Sequence, residues 1–540
     1  MSKPEVFARS KSGLVRVMGT FDAFALNVIN ISYFATGVIF TLQFCAAILP
    51  GAQLGVAILL SALFSVGLYL AYAFMSSSYP RAGGDYVYQS RIIHPALAFV
   101  ATFSAWVFWQ LWYQASFTIS IESQSFQSLL GVYGWVFNNQ ALLNGGFWTI
   151  SAVGSFIIGA ALIIISGVLA MLNLRFYVKL QLIMFALSNV SLLVLYFMLL
   201  QTTPHSFAAN FNSMMNWFNN SNIDWYSKVI SDATAAGYTT QAFDWGQTVA
   251  AVPIAMTAMG YGFWSIYLSG EIKTARVAKL AAYAIYGSVV FMGIVLALLY
   301  QLLQNVGTNF YNSVSYLYIF GGSVIPQIPV TPTYITLAMI ADPNPILVAI
   351  VSIGSFANVF ILMVLINVVV SRVMFAQAMD WVLPQKLAQV GKRLVAPIWG
   401  ITVVMVGSLI WLVVEVAYPA IAYQFTAVVV GVLLAYILTA VSAIIFPYTQ
   451  KVAFESSPIS KYKLGKVPWV VIFGVVGLVF SIFLLYYYIA IPALGLDSIP
   501  SLSIVGGVYV ALIIWYYGMK WYRSKHGIDI GLSFKEVPPE

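Results

Sequence analysis

The chain has 540 residues, of which 61% are hydrophobic and only 7% charged, and its formal net charge is +8. Its mean hydropathy is +0.90, and soluble proteins carry roughly a quarter charged residues. A soluble enzyme and a disordered chain are both excluded, which leaves a polytopic membrane protein.

Twelve apolar segments follow in order, near 18–47, 52–75, 96–119, 147–171, 179–201, 247–270, 280–304, 346–371, 397–418, 421–446, 467–491 and 501–519. Each is near the roughly 20 residues that cross a hydrocarbon core as a helix. The longer ones leave room for tilt or a break. The first is interrupted at Asn27, Asn30, Ser32 and Gly37, and the sixth at Pro253, Gly260 and Gly262. A broken helix in lipid strands backbone N–H and C=O groups at a cost of several kcal/mol each, so breaks survive only inside protein or beside water. Paired breaks one repeat apart point to the midplane binding site of a secondary transporter.

The basic residues set the orientation. With the N-terminus inside, the inner segments hold Lys3, Arg9, Lys11 and Arg16, then Arg81 and Arg91, then Arg175 and Lys179. They continue with Lys273, Arg276 and Lys279; Arg372, Lys386, Lys392 and Arg393; Lys451, Lys461, Lys463 and Lys466; Lys520, Arg523, Lys525 and Lys535. Lys228 alone falls outside. This positive-inside pattern predicts a multi-pass protein of the cell membrane with both termini cytoplasmic. The excess charge marks a membrane surface and not a nucleic-acid face. The first apolar stretch is too long for a signal-peptide core. Cys45 has no partner for an internal disulfide, and His94, His205 and His526 lack ligand spacing, so no metal site or cofactor is expected.

Two long outer loops, about 202–246 and 305–345, are rich in Asn, Ser, Thr, Tyr and Pro and leave room for short interfacial helices. Asn219-Asn220-Ser221 is an outward glycosylation sequon. The inner loop 376–395 mixes apolar and basic residues and suits an amphipathic surface helix. Asp22, Lys179 and Glu415 are the ionisable residues within the twelve segments, all near an end. Such scarcity argues against a multi-site proton wire. Glu122 and Glu415 are expected to be solvated or paired.

Between the second and third segments the chain reads Ser78-Tyr79-Pro80-Arg81-Ala82-Gly83-Gly84-Asp85-Tyr86-Val87-Tyr88. Pro80 cannot continue a helix, and Gly83 and Gly84 permit positive φ. Here the chain resembles the amino acid–polyamine–organocation permeases, which carry a similar string at this place. Tyr267-Leu268-Ser269-Gly270-Glu271-Ile272-Lys273 resembles the family's Gly-Glu-Val-Lys stretch ending the sixth helix. Ser371–Phe375, Asp380-Trp381-Val382-Leu383-Pro384 and Ala396-Pro397 resemble its loop after the eighth. The resemblance implies an all-α integral membrane protein of about 12 transmembrane helices with the LeuT-type fold. It implies a 5+5 inverted repeat over 18–201 and 247–446, with helices 1 and 6 unwound, plus two extra helices over 467–519 between short cytoplasmic ends at 1–17 and 520–540. The Pro80–Tyr88 string stands where the other twelve-helix fold, the major facilitator type, has a Gly- and Arg-rich loop.

An α-amino acid offers a carboxylate and an ammonium at fixed spacing. A half-helix beginning near Asn30–Ser32 presents N–H groups that suit the carboxylate, here those of Ile31, Ser32 and Tyr33 with the Ser32 hydroxyl. Carbonyls near Val28, Ile29 and Met259 suit the ammonium. Gly260 and Gly262 allow close backbone approach, and by resemblance Tyr261, Phe263 or Trp264 covers the substrate. Two other readings stand beside this one. Asn27, Asn30 and Ser32 also suit hydrogen bonds between neighbouring helices, and Gly260-Tyr261-Gly262 suits a packing seam.

Coupling through sodium or a proton is open. Some proton-coupled relatives carry a lysine in the fifth helix; the matching place here is near Ser188 or Asn189 and holds none. Ser352, Ser355 and Asn358, at i, i+3 and i+6 of the eighth segment, suit sodium or a polar seam. Asp22 suits proton coupling or a cytoplasmic-end ion pair. Trp106, Trp109, Trp112 and Tyr113 recur at helical spacing in the third segment and fit a core or interfacial belt or a substrate-facing surface.

The expected function is a secondary active transporter that moves amino acids by alternating access, with membrane lipid as its surroundings. A polyamine or other organic-cation carrier or exchanger of the same fold is the alternative, although neither break carries the carboxylate that a free cation favours. A channel lacks its repeated polar stripes, an enzyme lacks a catalytic cluster at membrane depth, and a sensor of this fold often adds a large soluble domain.

Overall fold

The computed structural model describes residues 14–391, 395–418, 425–491 and 499–535, without the side chains of Thr36, 425–430 and 499–501. Lys3, Arg9, Lys11, Lys392 and Arg393 of the basic pattern lie outside the described residues. Among these, eleven helices are long and apolar enough to cross a membrane. They are Leu54–Ser78, Pro95–Val136, Ala152–Met171, Leu174–Leu200, Trp245–Tyr267, Ala278–Val306, Pro345–Met379, Ile398–Ala417, Gly431–Thr449, Trp469–Ala490 and Leu502–Lys525. The first predicted span is two shorter helices, Thr20–Ile31 and Thr36–Ile48. Each of the twelve predicted spans is therefore helical, and they are numbered below in chain order.

Local chemistry sets the helix starts. The side chains of Ser151, Asn173, Asp244 and Asn344 accept from Gly154, Phe176, Gln247 and Ile346 N–H at 2.7–3.1 Å, satisfying donors that a helix N-terminus leaves open. Pro95 and Pro345 sit at first helical positions, where a missing N–H costs nothing.

Two spans run far past their predicted ends. The third continues to Val136 through π-helical segments at Ser104–Phe108 and Glu122–Gln127. Its buried polar residues, Gln110, Gln114, Ser116, Gln124 and Ser125, lower its hydropathy while serving contacts inside the bundle. The eighth continues to Met379. The expected surface helix over 376–395 is therefore corrected: residues to 379 prolong a buried span, and a short 3-10 turn follows at Gln385–Ala388. The span persists because Arg372 is buried and partnered, its Nε donating to Glu271 Oε1 at 3.0 Å. The two long loops, 202–246 and 305–345, do form short helices, at Pro204–Asn219, Trp225–Ala235, Thr308–Phe320 and Tyr334–Ala341. The sequon residue Asn219 uses its amide on the Met215 and Gln327 carbonyls, both at 3.0 Å.

Polarity is inverted relative to a soluble protein. Apolar side chains such as Ile157, Leu193, Leu200, Ile482 and Ile514 face outward, as lipid contact requires. Asn27, Ser32, Gln114, Asn358 and Asn367 are fully inside, where helix-to-helix hydrogen bonds need them. Glu122 and Glu415 are also inside, so solvation is the half of their expectation that burial removes. Glu415 accepts from the Ser116 hydroxyl at 2.7 Å and lies within electrostatic reach of Glu122.

The end of the bundle that carries the basic residues is tied by several bonds. Val17 and Met18 N–H both donate to the Glu271 carbonyl, and Lys273 N–H returns to Met18 O. Gly83 N–H donates to Tyr267 O at 3.3 Å. Gly83 and Gly84 adopt φ +98° and +56°, which glycine allows without steric cost. A Cβ on Gly84 would lie 2.5 Å from the Tyr267 ring. Arg91 grips Asp380 with two bonds, at 2.6 and 2.8 Å.

Candidate functional site

The two breaks exist and face each other. The lower half of the first span ends at Ile31, Ser32 leaves helical geometry at φ 64° and ψ 145°, and the second half starts at Thr36. The sixth span ends as an α-helix at Met259, passes through Gly260–Phe263 as turn, and continues as 3-10 helix at Trp264–Tyr267. The new half-helix thus begins a few residues later than Asn30–Ser32. Ser32 N–H is bonded to Val28 O at 2.9 Å, and Val38 and Ile39 N–H both reach Ala35 O, so the helix-end donors at the new start are the N–H groups of Thr36 and Gly37.

Ser32 pins its own break. Its Oγ accepts from Phe34 and Ala35 N–H at 3.2 and 2.9 Å and donates to Asn358 Oδ1. Polar side chains from other spans and from the loop helix Tyr334–Ala341 hold the freed carbonyls. Tyr69 of the second span donates to Met259 O, Tyr436 of the tenth to Gly260 O, and Tyr334 to Tyr33 O. Ser288 of the seventh span reaches Gly262 O at 3.3 Å. Removing the Tyr69 hydroxyl should therefore strand a buried carbonyl. Tyr69→Phe is expected to cost about 1–3 kcal/mol, read as a lower thermal midpoint in detergent. An unchanged midpoint would show that Met259 O has another donor.

The predicted asparagines join the breaks directly. Asn30 Nδ2 donates to Tyr261 O at 2.7 Å. Asn27 Nδ2 donates to Ser265 Oγ at 3.0 Å and Ala284 O at 2.8 Å, while its Oδ1 accepts Ser265 N–H at 2.9 Å. Gly262 leaves room for a close approach: a Cβ there would meet Ile31 Cδ1 at 3.0 Å and Val289 Cγ2 of the seventh span at 2.6 Å. Val28, Ile29, Tyr33, Met259, Phe263 and Trp264 are buried around it. The site-versus-seam alternatives therefore coincide in space: the bridging residues are the ones at the breaks.

Aromatic side chains close the region. Tyr261 meets Tyr113 with hydroxyls 3.1 Å apart. Phe263 stacks on Tyr72 at 3.9 Å, and Trp106 packs edge-on against Phe263 and Trp264. Of the third-span aromatics, Trp106 and Tyr113 reach the sixth-span break, whereas Trp109 packs on Phe108. A narrow cavity lies beside the break, lined by Met256, Thr257, Gly260, Tyr261, Val432, Leu433, Tyr436, Leu484 and Tyr488.

The coupling-ion candidates separate. Asp22 Oδ2 accepts Gly19 N–H at 2.7 Å and caps the first helix. Ser188 bonds back to Met184 O at 2.6 Å. Asn189 accepts from the Tyr33 hydroxyl at 3.1 Å, which places it beside the first break. Ser352 and Ser355 turn to Ser125 of the third span, each at 2.8 Å. Asn358 faces Ser32, and its Nδ2 is buried without a partner. Tyr69, Tyr334, Tyr436 and Ser288 were missing from the sequence reading. Their one signal is general: a hydroxyl inside hydrocarbon needs a partner.

No curated protein matches the chain. The amino acid permease family matches it over residues 18–514, nearly its whole length and both breaks. An all-helical bundle with two facing interruptions fits that match, and the chain belongs to the amino acid permease family.

Proposed function

We propose that the protein carries amino acids across the cell membrane as a secondary active transporter, by alternating access around the two breaks. The observation that carries this reading is the juxtaposition of Ser32–Ala35 with Gly260–Phe263, held by the Asn30 bond to Tyr261 O. The first turn from Thr36 offers N–H groups and the positive end of a helix dipole to a carboxylate, next to Ser32 and Tyr33. The last turn of Thr20–Ile31 offers carbonyls to an ammonium. Met259 O joins them, because a carbonyl engaged by one hydroxyl keeps a second lone pair. Tyr261, Phe263 and Trp264 cover the ligand. The basic end faces the cytoplasm. Residues 18–201 and 247–446 form the inverted repeats, and 467–519 add two helices.

Thermal-shift screening of the twenty amino acids, with and without sodium and at two pH values, tests the reading. At least one amino acid is expected to raise the midpoint of the wild-type protein. Gly260→Leu should remove that response, since a Cβ there lies 2.7 Å from the Tyr436 hydroxyl and displaces it from the Gly260 carbonyl. A Gly260→Leu protein that responds like the wild type would place the site elsewhere.

A further inference from the structure

Asp85 is a buried acid that neither break uses. It opens the helix Asp85–Ile92, between the second and third spans and outside both. Its Oδ2 accepts Trp106 Nε1–H at 3.0 Å and lies 3.5 Å from the Tyr72 hydroxyl, while Oδ1 accepts the Tyr267 hydroxyl at 3.1 Å. All three partners are neutral. The other titratable groups facing it are Tyr88 of its own helix and Tyr436 of the tenth span. The eighth span meets this loop at Gly83 through Ala376, and its Arg372 is bound to Glu271. Arg91, toward the far end of the Asp85 helix, is bound to Asp380.

Burial without a countercharge disfavours the carboxylate, and the bonds from Trp106 and Tyr267 favour it. Burial dominates and pushes the Asp85 carboxyl up to about 7. The group gains and loses its proton near neutrality. The Tyr72 oxygen stands ready to accept the O–H of the protonated acid.

The surroundings connect this proton to the breaks. Tyr72 stacks on Phe263 at 3.9 Å and meets Tyr436 edge-on at 6.2 Å, and Tyr436 holds the Gly260 carbonyl. Trp106 and Tyr267 belong to different spans, so the carboxylate is a bond between the third span and the inner half of the sixth.

We propose that Asp85 is the binding site of a coupling proton, which loosens the inner half of the sixth span from the third when it binds. One proton adds to Oδ2, with the Tyr72 hydroxyl turning to accept it, and the Tyr267 bond weakens. The same proton passes to cytoplasmic water when that end opens, and the carboxylate regains Trp106 and Tyr267. This role rests on the reading of the chain as an amino acid transporter.

Two measurements test it. In proteoliposomes given a radiolabelled mixture of the twenty amino acids, the wild-type protein is expected to concentrate label when the outside is acid. Asp85→Asn should still exchange label for preloaded unlabelled mixture and lose gradient-driven accumulation. Accumulation by Asp85→Asn at the wild-type level would overturn the proposal. Absence of wild-type counterflow would sink the transport reading and the coupling role with it. Wild-type counterflow without acid-driven accumulation would sink the coupling role alone. The second measurement is the thermal midpoint against pH. An acid raised by folding contributes stability that is lost as pH rises from its unfolded value of about 4 to about 7. Asp85→Asn should therefore gain on the wild type across that window and run parallel above it. Trp106→Phe removes a donor to the carboxylate and should move the upper end of the window up by about one pH unit while its lower end stays in place. Parallel curves for all three proteins would overturn the proposal.

Discussion

Arg372→Ala is expected to lower the stability of the purified protein by about 3–5 kcal/mol, the cost of leaving one partner of a buried ion pair alone. Arg372 and Glu271 are each about 2% exposed, and the guanidinium donates at 3.0 Å. Glu271 is also a structural node, because its carbonyl takes Val17 and Met18 N–H. An unpaired charge there disturbs both the basic end of the sixth span and the segment preceding the first. A double variant separates charge from packing. Arg372→Met with Glu271→Leu keeps bulk and removes both charges, and such replacements are often neutral or stabilising. The double variant should recover most of the thermal midpoint. Equal midpoints for wild type and Arg372→Ala would show that Glu271 is not sealed from water.

Ser32→Ala is expected to act at the centre of the first break. It leaves the Phe34 and Ala35 N–H groups without their acceptor and Asn358 without its donor. A buried donor left unsatisfied costs about 1–3 kcal/mol. The backbone adds a second effect. Ser32 sits at φ 64°, where a Cβ is strained and glycine is not. Ser32→Gly should therefore melt above Ser32→Ala, although both lose the same hydroxyl. Both should lose amino-acid-induced stabilisation, since the loop between the half-helices depends on that oxygen. A Ser32→Ala protein with wild-type melting and ligand response would show that the break holds itself without the side chain.

The sequence made the spans legible because lipid imposes one rule on every segment: apolar, about 20 residues, helical. The same rule made the breaks visible, since Asn30, Ser32, Gly260 and Gly262 are costly in lipid without a purpose. Spans whose polar residues face inward were read too short. Gln124 and Ser125 in the third span and Arg372 in the eighth look like ends in a hydropathy profile, yet they are buried. Partner identity was hidden as well. That Tyr436 holds Gly260 O, or that Asp85 meets Trp106 and Tyr267, depends on segments brought together from 21 to 182 positions apart. Asn27 and Asn30 were legible as polar residues in lipid, but not as the bridge between the breaks.

Asn27 grips the sixth span through Ser265 and the seventh through the Ala284 carbonyl. Three bonds on one amide leave the lower half of the first span no independent swing. It, the start of the lower sixth span and the seventh span are bonded as one unit, so a displacement of any one of them must break these bonds or carry the others with it.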